Sequence, residues 1–109
     1  MIPRGVWEDL LDRVEKRIEQ LVNELCGMLE SAGKISQREV INLRLQPLTP
    51  NSPLTDPYLS YFVGKKKRKR FVKKQKQLKA LLKNRDIILM RIEEGRGENS
   101  GSVDWEGSS

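Results

Sequence analysis

Three observations predict an all-α fold. Apolar residues recur every three or four positions over two long stretches. Four of the five prolines fall within one short connection, residues 47 to 57. The one segment with strand-like alternation has no second strand to pair with. The expected architecture is a long amphipathic heptad-like N-terminal helix, a short second helix, a Pro-rich linker, a basic C-terminal helix and a disordered acidic tail. Its boundaries are set at 1–46, 47–64, 65–94 and 95–109. Leu, Ile, Val and Phe make up 30 of the 109 residues, above the ~20% level associated with wholesale disorder.

The first helix is expected from about Pro3 to Ala32. Trp7, Leu11, Val14, Ile18, Leu21, Leu25 and Met28 alternate in steps of four and three, an a/d pattern flanked by Leu10, Val22 and Leu29. From Trp7 to Met28 such a helix is about 33 Å long. Pro3 suits a first helical position, Glu8, Asp9 and Asp12 suit the positive end of the dipole, and Gly33 suits the stop. This seam must be buried, either on the later helix of the same chain or on a second copy. The regularity of its spacing favours the copy, so a homo-oligomer is expected. Cys26, beside Leu25, reads as a buried thiol.

Ser36 and Glu39 have the spacing of a capping box, and Ile35 and Val40 that of a hydrophobic staple. They predict a short helix from Ser36 to about Leu45, although Ile41, Leu43 and Leu45 alternate as in a strand. Residues 47–57 then read PLTPNSPLTDP, too rich in proline for an α-helix or a central strand. An extended linker is expected there. It carries two candidate proline-directed phosphorylation sites, Thr49-Pro50 and Ser52-Pro53, for which plain linker is the simpler reading. Tyr58, Tyr61 and Phe62 follow.

The dominant feature is KKKRKRFVKKQKQLKALLKNR, residues 65 to 85, with twelve basic side chains and no acidic one. Phe71, Leu78, Leu81, Leu82, Ile88, Leu89 and Ile92 share roughly one helical face, interrupted by Arg85. A helix from about Lys67 to Glu94 follows. Its cations lie at the N-terminal end and Glu93 and Glu94 at the C-terminal end, both unfavourable for the dipole. Fraying of the free helix start, with ordering on a polyanion, is therefore expected. The tail beyond Gly95 is rich in Gly and Ser and holds Trp105 between two acids, a candidate docking motif.

Composition narrows the function. The chain has no histidine, one cysteine and a net charge of +6. A zinc site, an intramolecular disulfide and a His base are excluded, and no phosphate-binding Gly-rich loop occurs. No cofactor, no metal and no enzymatic activity are expected. No run of ~18 apolar residues is present. The N-terminus turns acidic where a signal peptide would stay apolar, so an intracellular protein is expected.

The charge is polarised: residues 1–34 carry five basic and seven acidic side chains, residues 65–91 thirteen and one. An arm this cationic favours a polyanion. The candidate nucleic-acid-binding residues are Lys65, Lys66, Lys67, Arg68, Lys69, Arg70, Lys73, Lys74 and Lys76. Between Lys65 and Lys76, seven Lys stand against two Arg, which argues for gripping the RNA or DNA phosphate backbone over reading guanine edges. Tyr58, Tyr61, Phe62 and Phe71 are candidates for stacking on unpaired bases, which tilts the expectation toward RNA. Membrane attachment is disfavoured because most of the charge precedes the apolar face.

Lys65-Lys-Lys-Arg-Lys-Arg70 also resembles a monopartite nuclear localisation signal. That resemblance implies a nuclear import receptor as partner and a nuclear location, with shuttling to the cytoplasm. The plan as a whole resembles small viral or cellular RNA-binding regulators with arginine-rich arms. The likeness is one of architecture, and the lysine excess departs from it. The leading expectation is a non-enzymatic nucleic-acid-binding regulator or RNP component. The alternative is a protein-interaction adaptor that uses its basic run for import alone.

Overall fold

A computed structural model of the chain describes residues 4–101. The expectation for Trp105 lies outside the described residues. Three α-helices occur, α1 (Arg4–Ala32), α2 (Gln37–Leu45) and α3 (Lys65–Gly101), with two short 3-10 helices, Pro53–Thr55 and Pro57–Phe62, between α2 and α3. No strand occurs among the described residues. α1 and α3 lie antiparallel: Glu24 meets Lys74, while Leu11, farther toward the N-terminus, shares a groove with Leu89 and Ile92. The particle is rod-like, 60 × 21 × 17 Å.

Local signals set the first two helices. Gly33 ends α1 at φ +66°, in the left-handed region that costs glycine little. Its N–H donates to the Leu29 and Glu30 carbonyls at 3.3 and 3.2 Å, which satisfies orphan acceptors of the last turn. Ser36 caps α2. Its Oγ accepts from the Glu39 N–H at 3.2 Å while Glu39 Oε1 accepts from the Ser36 N–H at 3.2 Å, closing the capping box. Val40 is buried and Ile35 half-buried in the same cluster, so the staple forms.

The core runs along the α1–α3 seam. Ile18, Leu21, Val22, Leu25, Cys26 and Leu29 of α1 meet Phe71, Leu78 and Leu82 of α3. Burying such a side chain stabilises by roughly 1.5–3 kcal/mol. Two expectations are corrected here. Ile18, Leu21 and Leu25 were assigned to self-association, but α3 already covers them, and they have almost no surface left for a second copy. The buried stripe also turns toward Val22, Cys26 and Leu29, leaving Met28 half-buried and Leu10 exposed. A helix of 3.6 residues per turn drifts off a strict heptad line in this way.

The linker is a third correction. Pro53–Thr55 and Pro57–Phe62 are 3-10 helical, not extended, and Ser52, Leu54, Thr55, Ser60 and Val63 are buried. Proline density excludes a longer helix but suits a short one, because proline at N1 loses no needed N–H. Pro53 and Pro57 each stand at such a start, behind the caps Ser52 and Asp56. Ser52 Oγ accepts from the Leu54 N–H at 3.3 Å and Asp56 Oδ1 from the Tyr58 N–H at 3.0 Å. Ser52 is thereby closed as a modification site, whereas Thr49 stays exposed.

α3 also exceeds its expected bounds. It begins at Lys65, two residues before the expected start, with Val63 and Phe71 buried on either side. It continues past Gly95 to Gly101, beyond the stop expected from the tail's glycines. Its buried positions step 71, 75, 78, 82, 88 and 92. The core line thus passes Leu89, which is exposed with Ile87 and Met90.

Candidate nucleic-acid interface

The cations of α3 are placed by the same seam. With Phe71, Leu78 and Leu82 facing α1, the 100° step of an α-helix turns Lys65, Lys69, Lys73 and Lys76 to the opposite side. They recur in steps of four, four and three and form one line about 16 Å long. Lys66 and Arg70 make a second row beside it. Lys67 lies on the flank and is also exposed. Like charges at i,i+4 repel by a few tenths of a kcal/mol per pair, a cost borne by the apolar seam.

Three of the twelve basic residues between Lys65 and Arg85 are engaged within the chain. Lys74, half-buried, holds Glu24 at 2.9 Å and is the one cation of this run with a carboxylate in reach among the described residues. Arg68, also half-buried, donates from Nε to the Ser60 carbonyl at 3.2 Å, with its guanidinium 4.9 Å over the Tyr61 ring. Arg85 donates to the Leu48 carbonyl, and its Nε is buried without a partner. The other nine are exposed. The structure therefore keeps Lys65, Lys66, Lys69, Arg70, Lys73 and Lys76 exposed on the outer side of α3 and Lys67 exposed on its flank, and gives Arg68 and Lys74 a structural tie.

The Lys74 hydrogen bond holds the Glu24 carboxyl below its ordinary value of 4.5. A carboxylate shifted down stabilises the fold above its unfolded pKa and loses that contribution as pH falls through its folded one. The difference in melting temperature between the native chain and Glu24→Gln should thus be present at neutral pH and close below about pH 4. A difference that stays constant over that range in thermal melts would remove the ion pair from the account. The Cys26 thiol, fully buried, is pushed up by burial.

The aromatic candidates separate by depth. Phe71 is fully buried and is withdrawn as a stacking residue. Phe62 is half-buried, whereas Tyr58 and Tyr61 are 64% and 60% exposed. A 3-10 helix explains the division, since residues three apart eclipse in it. Tyr58 and Tyr61 point out, Leu59 and Phe62 half in, and Ser60 and Val63 inward.

Sequence reasoning missed Gln75. It sits within the basic run, yet it is 2% exposed, and its Nε2 donates to the Leu54 and Asp56 carbonyls at 2.9 and 2.8 Å. The signal was its register, four residues after Phe71 and three before Leu78.

At the far end of the rod, Val6, Leu10, Ile87, Leu89 and Met90 are exposed beside a groove of about 490 Å³. Trp7, Leu11 and Val14 are half-buried there. No helix among the described residues is long and apolar enough to cross a membrane. Nor do three metal-ligating side chains come together among them.

The fold and surface define a helical hairpin with a cationic outer face on its second long arm. The chain matches no family model, no curated protein and no solved structure.

Proposed function

We propose that this chain is a small non-enzymatic nucleic-acid-binding protein, acting on RNA as a regulator or RNP component. It grips phosphates with the outer face of α3 and self-associates through the N-terminal part of α1. The observation that carries this reading is the run of nine exposed cations, none of them matched by a carboxylate among the described residues. A surface of this kind repels itself in water and is relieved by a polyanion. With about eight phosphates neutralised, log K should fall with log salt at a slope of ~ −6 to −7. Trp7 and Leu11, left half-buried, take over the self-association role from the covered middle of the seam. Several copies on one strand would raise avidity. The resemblance of residues 65–70 to a nuclear localisation signal supports a nuclear site of action, reached through an import receptor.

A second reading draws on the groove at the far end of the rod, where Leu11, Leu89, Met90 and Ile92 are edged by Glu8, Asp86 and Glu93. There the chain is an adaptor that docks a protein partner, and its basic run serves import alone. One titration separates the two. Labelled RNA is followed by anisotropy from 50 to 300 mM salt, with the native chain and with Lys66→Ala/Lys69→Ala/Arg70→Ala/Lys73→Ala. These four side chains are exposed and form no hydrogen bond or ion pair within the described residues, so helix content should hold while the slope becomes shallower by about 3. Equal affinity and slope in the two proteins would refute the phosphate role and leave the adaptor.

A further inference from the structure

We infer that Tyr58 and Tyr61 form a stacking platform for unpaired bases, which makes the ligand of the cationic face a single strand and not a duplex. This rests on the phosphate-binding reading above. The two rings lie 5.7 Å apart at 58°, and Tyr58 packs edge-on against Phe62 at 5.8 Å and 82°. They are large and exposed, on a turn that Asp56 caps and whose inner side buries Ser60 and Val63.

The surroundings of the rings favour one occupant. The Arg68 guanidinium lies 4.9 Å over the Tyr61 ring while its Nε is tied to the Ser60 carbonyl. That covers one face of Tyr61 with a delocalised cation; a base would stack on the ring surface that Tyr58 and Tyr61 still expose, beside this cation. Lys65 and Lys69 stand on the adjoining first turns of α3 and are exposed. The charge complementarity is to phosphates whose bases reach the rings. In a duplex the bases are stacked on one another, and the rings would meet only the backbone.

The test uses the full chain, a labelled oligouridylate and a blunt RNA duplex of equal length. Tyr58→Leu/Tyr61→Leu should weaken the single strand by about 10- to 100-fold and change the duplex less than about two-fold, with the salt slope unaltered. Tyr58→Phe/Tyr61→Phe should retain native affinity, since the π-faces remain. The platform is overturned if the leucine pair binds the single strand like the native chain, or loses both ligands alike, or if the phenylalanine pair fails as the leucine pair does. It is also overturned if the leucine pair loses only anionic vesicles, which would make the patch a membrane contact. An effect of the tyrosines with none from the lysine variant would sink the phosphate reading. The reverse pattern would sink the platform alone.

Discussion

Phe71→Ala should lower the stability of the free protein by about 3–5 kcal/mol, the range for emptying a buried aromatic site. Phe71 is among the largest fully buried side chains and belongs to the cluster that joins α1 to α3. A small domain has roughly 5–15 kcal/mol in total, so the urea midpoint should fall by a large fraction with the slope m little changed. The result decides between two accounts of the basic helix. If it formed only on a polyanion, Phe71 would be solvated in the free chain, and the substitution would cost a few tenths of a kcal/mol. The structure instead docks the helix before any ligand arrives. At low salt and low temperature, where the variant stays folded, RNA affinity should remain within a few-fold of native, because no cation of the outer face touches Phe71.

That contrast marks what the sequence could and could not convey. α1 and α2 were legible because their signals are local. Ser36 and Glu39 must stand three apart to cap one another, and Gly33 alone can take φ +66° at low cost. The cationic face was legible as composition. Three features were not, because each depends on something distant in the chain. The seam of α1 had two eligible partners, and only the docked α3 shows that Ile18, Leu21 and Leu25 are covered within the monomer. The linker read as extended because proline density argues against long elements. Nothing local announced that Leu54 would be fully buried. The tyrosines were grouped with Phe62 and Phe71 because a list of aromatics has no depth. Their separation follows from a three-residue period that only a 3-10 helix imposes.

The helix dipole opposes the charge at the start of α3. Six cations occupy its first turns, with no acid in the first. The size of the effect is a few tenths of a kcal/mol per residue, up to about one at the surface. Burial of Phe71 and Val63 on either side of that start is worth about 3–6 kcal/mol together, enough to offset the cost summed over the six. The charge therefore remains as surface potential on a formed helix. A preformed row of cations gives up less conformational entropy on binding than a coil that must first fold.

Gln75→Ala should cost about 2–4 kcal/mol, an effect far above that of a neighbouring exposed glutamine such as Gln77. The buried Leu54 carbonyl would lose its donor, a loss of about 1–3 kcal/mol, and the part-buried Asp56 carbonyl would lose one of two, keeping the Leu59 N–H; the emptied site adds the remainder. Gln75→Met separates packing from hydrogen bonding, since it fills nearly the same volume and donates nothing. It should be destabilised nearly as much as the alanine variant. A methionine variant with native stability would show that the bonds contribute nothing net. Because Leu54 and Asp56 lie at the junction of the two 3-10 helices, the damage should also be local. The amides of Thr55, Asp56 and Leu59, bonded to the Ser52, Pro53 and Asp56 carbonyls, should lose hydrogen-exchange protection first. Those of the α1–α3 core should keep it. Tyr58 and Tyr61 ride on this junction, so the Gln75 variants should weaken single-strand binding without any change to a cation or to a ring. Protection lost evenly across all three helices would instead make Gln75 one more core position, with no special hold on the aromatic face.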